Sequence, residues 1–72
     1  MAHYNLGYSN FKLKRYDEAV VWFRKFTNLS NDEKNVFVSD AYNRIGDSFF
    51  IQRRYWAAID YYDKAMAIGT ID

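Results

Sequence analysis

The chain contains the same pattern twice, at an offset of 39 residues that places Gly7 on Gly46. Because a supersecondary unit that recurs at a fixed period buries its apolar face by stacking on its neighbours, this feature constrains the fold more than any single motif does. The offset also aligns identical residues elsewhere in the two copies: Ala2 with Ala41, Ser9 with Ser48, Phe11 with Phe50, Arg15 with Arg54, Tyr16 with Tyr55, Ala19 with Ala58, and Lys25 with Lys64. The sequence therefore predicts two similar units that pack on each other.

Each copy combines small residues with an aromatic ring at a fixed spacing. An aliphatic residue precedes the glycine, an alanine follows the glycine by twelve residues, and an aromatic residue follows the alanine by four. These residues are Leu6, Gly7, Ala19 and Phe23 in the first copy, and Ile45, Gly46, Ala58 and Tyr62 in the second. A glycine inside a helix costs about 1 kcal/mol relative to alanine. Its presence in both copies indicates that an antiparallel partner helix comes close, with the alanines as the small residues that face the glycines.

This pattern resembles that of the tetratricopeptide repeat, which reads W-x2-L-G-x2-Y, then A-x3-F, then P. The resemblance covers nearly the whole chain. It implies an all-α fold of four helices, in which two antiparallel helix-turn-helix repeats stack as a short right-handed superhelix. It also implies one domain over residues 1–72, with repeats at about 2–30 and about 33–69, belonging to a longer tetratricopeptide protein of bacterial type.

Several positions depart from the family pattern. His3 and Tyr42 stand where the family has Trp, Asn10 replaces a Tyr, Phe26 aligns with Ala65 of the second copy, and no Pro closes either unit. The period also exceeds the 34 residues usual in this family. Since the spacing inside each copy is intact, the surplus residues lie between Leu29 and Ala41.

The segment between the copies carries a helix-start signal. Residues 30–33 read S-x-x-E, the capping box that begins a helix. Apolar residues at Phe37, Ala41 and Ile45 continue the helical spacing of the second copy backwards without a break. The sequence predicts that the surplus residues lengthen the third helix at its N-terminal end, and that residues 31–40 do not form an irregular loop.

Apolar residues spaced by three and four predict four helices. Their expected bounds are Ala2 to about Lys14, Tyr16 or Asp17 to about Leu29, the capping box to Arg53–Arg54, and about Tyr55 to a left-handed cap at Gly69. The basic residues at the ends of the first and third helices are interpreted as cations that complement the helix dipole. They are Lys12, Lys14, Arg15, Arg53 and Arg54.

The chain is short for a repeat protein. At 72 residues without cysteine and with one histidine, it has neither disulfides nor the ligands for a structural zinc. Half of the residues are apolar and about a fifth are aromatic, a composition typical of a folded chain. Because repeat arrays generally need at least three units, the pair is expected to be a piece of a longer array or to self-associate through exposed repeat faces. The alternative is that an aromatic-rich pair is stable alone.

Charge and hydropathy argue against two classes of partner. The formal net charge is +1, which gives no field toward nucleic acid or an anionic membrane. No apolar run is longer than that of residues 19–23, which is far short of the ~20 residues that span a bilayer. No signal peptide is visible, so we expect a soluble protein, cytoplasmic or, as part of a longer exported protein, periplasmic; the compartment itself stays open.

Residues for catalysis are scarce. His3 is the one histidine, and it stands where the family packs an aromatic ring, so a packed or half-exposed ring is favoured over a general base. The acidic pairs Asp17–Glu18 and Asp32–Glu33 are adjacent in sequence, and adjacent helix positions do not face each other. The glycines are isolated and form no phosphate loop. The sequence predicts no enzyme activity, no metal and no cofactor.

The resemblance supplies a candidate binding surface. In the tetratricopeptide family the first helix of each unit lines a concave groove, and the matching positions are expected to contact a partner here. They are Tyr4, Tyr8, Phe11 and Lys12 in the first copy, and Asp40, Asn43, Asp47, Phe50 and Ile51 in the second. The tyrosines and acids disfavour a clamp for a C-terminal carboxylate. They favour a protein or peptide with apolar or aromatic side chains and some positive charge.

Other readings of the same residues stay open. Tyr4, Tyr8 and Phe11 lie on one stripe of the first helix, and they could pack on the third helix instead of binding a partner. The module could also be a structural slice of a larger scaffold. A remote alternative is single-stranded RNA binding through tyrosine stacking and the basic residues at the helix ends, which predicts a steep salt dependence of affinity.

Overall fold

The structure, a computed structural model, describes residues 2–30 and 36–69. Its elements are α1 (Ala2–Lys12), α2 (Tyr16–Leu29), α3 (Val36–Ile51) and α4 (Tyr55–Gly69). Helices α1 and α2 form one antiparallel hairpin, the first repeat, and α3 and α4 form the second. Packing of α2 on α3 joins the hairpins, and no described residue is in a strand. The prediction of an all-α fold made of two helical hairpin repeats is confirmed.

Two of the predicted helix ends are wrong by two or three residues. Helix α1 ends at Lys12 rather than Lys14, and α3 ends at Ile51 rather than at Arg53–Arg54. Gly69 is the last residue of α4, and no described glycine has a positive φ, so the left-handed cap predicted there is wrong. Residues 36–40 are helical, as predicted, whereas residues 31–35, with most of the capping box, lie outside the described residues.

Both hairpins turn through the same backbone motif. Lys14 has φ 63° and Arg53, at the equivalent position, has φ 64°. In the first turn the Arg15 N–H donates to Asn10 O at 2.8 Å; in the second the Arg54 N–H donates to Phe49 O at 2.8 Å. These bonds and the left-handed residue form a Schellman motif, in which glycine is usual. The basic residues therefore end the helices through backbone conformation, a role that the dipole interpretation did not include.

Each repeat glycine lies under an aromatic ring of its partner helix. A Cβ atom built on Gly7 would be 2.6 Å from Cδ1 of Phe23, and one built on Gly46 would be 2.6 Å from Cε1 of Tyr62. The predicted close approach is confirmed, but the nearest atoms belong to these rings and not to the alanines. Ala19 is fully buried elsewhere in the core.

The core lies at the junction between the two repeats. Its buried apolar side chains come from α2 and α3, and partly buried aromatic side chains from α1 and α4 pack against them. The buried set is Ala19, Val20, Phe23, Ala41 and Ile45. Each repeat therefore buries an apolar face against the other, as neighbouring units do in a longer array.

The positions that depart from the family's Trp still carry packed rings. His3 stacks on Trp22 with ring centroids 5.6 Å apart, and Tyr42 contacts Tyr61 at 6.0 Å. The interpretation of His3 as a packed ring is confirmed. None of the helices within the described residues is long and apolar enough to cross a membrane.

Candidate partner-binding surface

Three of the predicted binding residues meet at one carboxylate. The Tyr4 hydroxyl donates a hydrogen bond to Oδ2 of Asp40 at 2.5 Å, and the Tyr8 hydroxyl donates to the same oxygen. The two tyrosines are one helical turn apart on α1, whereas Asp40 lies on α3. This Tyr4–Tyr8–Asp40 cluster therefore ties the first repeat to the second.

The tyrosine rings of the cluster are held from several sides. The Tyr4 and Tyr8 ring centroids are 5.0 Å apart, and each ring also packs on Phe23, at 5.9 Å and 5.2 Å respectively. Tyr4 further contacts Phe26 at 5.2 Å and Phe37 at 5.5 Å. Both tyrosines are partly buried and keep part of their surface open to solvent. Their positions are thus fixed before any partner arrives.

The cluster keeps its phenols protonated. Burial raises the pKa of Tyr4, and the hydrogen bond to Asp40 raises it further. Burial, followed by the bond to Asp40, also raises the pKa of Tyr8. Both effects penalise a phenolate, which would be desolvated and beside a carboxylate. At neutral pH the two hydroxyl groups are therefore donors.

A second carboxylate is bound within the second repeat. The Tyr62 hydroxyl donates to Oδ1 of Asp47 at 2.5 Å, and Nη2 of Arg44 lies 3.3 Å from Oδ2. Burial and the bond to Asp47 raise the pKa of Tyr62 to about 12, against the partial opposition of Arg44. Asp47 stands 39 residues after Tyr8, so the two repeats place a hydroxyl and an acid at equivalent positions.

The remaining predicted residues lie along the helices rather than in the cluster. Phe11 contacts Tyr16 edge-on at 5.5 Å, and Phe50 contacts Tyr55 in the same way at 5.2 Å. Lys12 and Ile51 are exposed, and Asn43 is partly buried. Asp40 and Phe50 are about 15 Å apart along α3, given a rise of 1.5 Å per residue. The candidate site is therefore a strip along α1 and α3, and we call it the α1–α3 strip.

Several neighbours that hold this strip in place were not predicted from the sequence. Phe26, Phe37 and Arg44 were not predicted to take part, and Tyr62 was assigned only a packing role. Tyr8 of the first repeat stands at the position that Asp47 occupies in the second, and this exchange is the signal that could have suggested hydroxyl–carboxylate pairs. Which hydroxyl pairs with which carboxylate depends on how the helices are placed relative to one another. Within the described residues, no group of three or more His, Cys, Asp or Glu side chains could hold a metal ion.

A groove of about 320 Å³ lies apart from the strip. It opens between the C-terminal parts of α2 and α4 and the first half of α3. Its lining residues are Thr27, Ser30, Val38, Tyr42, Lys64, Ala67 and Ile68. None of them belongs to the predicted binding set.

The comparisons with known proteins agree with the repeat architecture. A family model described as the tetratricopeptide repeat matches residues 1–70, a range that includes all four helices and both repeats. Searches of curated proteins and of solved structures found no match to the chain. The match extends well beyond the two glycine motifs, and it supports the family resemblance seen in the sequence.

Proposed function

We propose that this chain, which belongs to the tetratricopeptide repeat family, is a non-catalytic module that binds a peptide or a partner helix on the α1–α3 strip. Tetratricopeptide repeats generally mediate protein–protein interactions, and they are typically not catalytic. The observation that carries the proposal is the convergence of the Tyr4 and Tyr8 hydroxyls on Asp40. It builds an acidic, aromatic surface that is already ordered.

Order in the free protein favours binding. Side chains that are immobile before association lose little conformational entropy on contact with a partner. Tyr4 and Tyr8 are restrained both by ring contacts and by hydrogen bonds. Tyrosine also offers a large contact area with a polar tip, which suits the centre of an interface. The strip therefore has the physical properties of a recognition surface.

The charge of the strip selects the partner. Both tyrosines bind Oδ2 of Asp40, and within the described part of the chain Oδ1 accepts no hydrogen bond. An ionised carboxylate has about four acceptor sites, so Asp40 retains capacity for a cationic donor. Asp47 already accepts from Tyr62 and pairs with Arg44 through its two oxygens. We therefore expect Asp40 to receive a lysine or arginine of a partner whose other anchors are apolar or aromatic.

Selection from a library of random dodecapeptides displayed on phage tests this function. The enriched peptides should combine aromatic or aliphatic residues with arginine or lysine, because the strip offers rings and an acid, Asp40, whose Oδ1 accepts no hydrogen bond from the described residues. Asp40→Asn should weaken binding of a selected peptide about tenfold or more, since a charge-assisted hydrogen bond contributes about 1.5–3 kcal/mol. Fluorescence anisotropy of the labelled peptide measures the affinity.

The matched control is Asp60→Asn. Asp60 is exposed on α4, where its Oδ2 lies 3.7 Å from Nζ of Lys64. This variant therefore makes the same chemical change away from the strip. Peptide affinity should be unchanged in it, and circular dichroism should show equal helicity in both variants. If Asp40→Asn and Asp60→Asn bind the peptide equally well, the α1–α3 strip is not the binding site.

A second candidate function is structural. Large apolar side chains are exposed on α1 and α4, at the two ends of the stack, where a longer array would have further repeats. Leu6 is 40% exposed and Ile59 is 49% exposed. A segment of a larger scaffold, or a chain that associates with itself, would cover these surfaces.

A further inference from the structure

The α2–α3 junction shows which kinds of residue join one repeat to the next. Val20 on α2 and Ile45 on α3 belong to one buried cluster, in which they are 6% and 0% exposed. At the edge of the junction, Nε2 of Gln52 donates a hydrogen bond to Oδ1 of Asp17 at 2.6 Å. An apolar centre with a paired edge is therefore the pattern that joins one repeat to the next.

The first helix presents the same positions, and none of the described helices packs on them. We define the N-terminal end face by the residues that stand 39 positions before Ala41, Ile45, Ser48 and Gln52. They are Ala2, Leu6, Ser9 and Leu13. All four are exposed, whereas Ala41, Ile45 and Ser48 are buried. The difference arises because α2 covers α3, while no described helix covers this side of α1.

The last helix presents the complementary positions. We define the C-terminal end face by the residues that stand 39 positions after Asp17, Val20 and Thr27. They are Trp56, Ile59 and Met66. Ile59 and Met66 are 49% and 57% exposed, whereas Val20 and Thr27 are 6% and 8% exposed. The two end faces thus carry the two halves of the internal junction.

The two positions equivalent to the Asp17–Gln52 pair are both apolar on the end faces. Where the internal junction has Asp17 and Gln52, the end faces have Trp56 and Leu13, and these are 88% and 62% exposed. A tryptophan would gain little by meeting a glutamine at this edge, but it can bury a large apolar area against a leucine. A polar pair replaced by an apolar pair at matching positions points to contact between the two faces.

We propose that the C-terminal end face of one copy docks on the N-terminal end face of a second copy, and reproduces the α2–α3 junction between molecules. Such a contact joins different surfaces of two identical chains, so it propagates instead of closing at a dimer. In this contact Trp56 of one copy packs near Leu13 of the next. The contact uses surfaces other than the α1–α3 strip, so it does not depend on the proposed peptide binding.

Sedimentation of the 72-residue chain from micromolar to millimolar concentration tests the contact. The average mass should rise with concentration and pass the dimer. Trp56→Glu and Leu13→Glu should each reduce association at least tenfold, because each places a charge on one end face. Both side chains are mostly exposed, so circular dichroism should show unchanged helicity.

Mixing the two variants is the decisive step. A 1:1 mixture keeps one intact C-terminal face and one intact N-terminal face, so it should form a heterodimer that grows no further. The pair Leu6→Glu and Ile59→Glu, at the centre of the two faces, should repeat this result. Val21→Asp is the control, since Val21 is 49% exposed and its equivalent in the second repeat is Asp60; association should be unchanged.

Three results would overturn the proposal. The chain could stay monomeric at every concentration, in which case the end faces do not recognise each other. A dimer that persists in Leu13→Glu but is lost in Trp56→Glu would mean a symmetric contact of two C-terminal faces. Association that survives all four end-face variants would use another surface.

Discussion

Each repeat packs an aromatic ring over its helix glycine, but the two rings differ in their hydrogen bonding. The difference shows how the two repeats are held together. In the first repeat Gly7 lies under Phe23, and hydroxyl groups come from Tyr4 and Tyr8 on the adjoining helix. In the second repeat the ring over Gly46 is itself a tyrosine. Its hydroxyl binds Asp47 inside the same hairpin, whereas the tyrosines of the first repeat bind across to Asp40.

The hydroxyl–carboxylate pair has a different use in each repeat. In the second repeat it fixes a hairpin, since both partners belong to α3 and α4. In the first repeat it fixes the junction, because its partners belong to α1 and α3. Phe23, on which the Tyr4 and Tyr8 rings pack, is fully buried, while Tyr62 is partly buried. The same substitution should therefore have unequal effects in the two repeats.

The largest difference is expected when the two rings are removed. Phe23→Ala should cost about 3–5 kcal/mol, the range for a fully buried phenylalanine. Because a core of this size supplies only about 3–5 kcal/mol without staples, the variant should be largely unfolded. Tyr62→Ala should cost less and leave a cooperative transition. Urea unfolding followed by circular dichroism measures both; equal losses would contradict the account.

A methyl group added at each glycine should also destabilise the two repeats by unequal amounts. A Cβ on Gly7 would meet Cδ1, Cε1 and Cγ of Phe23, a ring that Tyr4 and Tyr8 hold in place. One on Gly46 would meet Cε1, Cδ1 and Cζ of Tyr62, a ring that Asp47 holds at its hydroxyl but that is only partly buried.

Overpacking costs about 1–3 kcal/mol, and alanine regains about 1 kcal/mol of helix propensity. Gly7→Ala should therefore destabilise by up to about 2 kcal/mol, and Gly46→Ala should destabilise less, because the partly buried Tyr62 ring has more room to yield than the fully buried Phe23 ring. Thermal unfolding of the two variants measures the difference. A larger loss in Gly46→Ala would show that the Phe23 ring is the more mobile of the two.

Alkaline pH should weaken the tyrosine–carboxylate bonds. An unfolded tyrosine loses its proton near pH 10, whereas the pKa of Tyr62 is raised to about 12 in the folded chain. Between these values the unfolded state binds fewer protons, so the stabilisation present below pH 10 is lost as the pH rises.

Tyr62→Phe removes this ionisation and should flatten part of the fall in unfolding free energy between pH 10 and about pH 12. Tyr16→Phe, at a tyrosine without a bound carboxylate in the described chain, is the control and should follow the wild type. Urea unfolding at a series of pH values gives the slopes. If the free energy of unfolding falls with pH equally steeply in Tyr62→Phe and in the wild type, burial and the bond to Asp47 do not raise the pKa of Tyr62.

The smallest effect is expected at the hairpin turns, where the repeats agree. Lys14 and Arg53 have the same left-handed backbone, which costs a residue with a side chain about 1–2 kcal/mol. Glycine removes this strain but has more entropy to lose on folding, by about 0.5–1 kcal/mol. Lys14→Gly and Arg53→Gly should each stabilise by about 0.5 kcal/mol, and by equal amounts. Thermal unfolding checks this; unequal shifts would mean that the turns differ.

The sequence predicts the helices and hairpins because their signals are local and occur twice. Gly7 and Gly46 mark the close approach of paired helices, and the helical spacing of apolar residues marks the faces. The left-handed turns were not predicted, since Lys14 and Arg53 carry no glycine signal. Their positive φ is imposed by the return of the chain toward the next helix.

The candidate site was predictable in its members but not in its contacts. Tyr4, Tyr8 and Asp40 follow from family positions, yet the bonds among them depend on how α1 sits beside α3. That placement is set by packing between repeats, which no local pattern encodes. For the same reason the sequence could suggest that the tyrosines pack on the third helix, but not that they meet at one oxygen of Asp40.

The most direct test of peptide binding on the α1–α3 strip is an amide NMR titration of the chain with a peptide selected against it. The largest shifts should fall on residues 4–12 and 40–51, with smaller ones on α2 and α4, because α1 and α3 supply the strip. Addition of the peptide to Asp40→Asn should reduce these shifts at equal concentration. Shifts centred on α4 around Trp56 and Ile59, with α1 and α3 unchanged, would contradict the account.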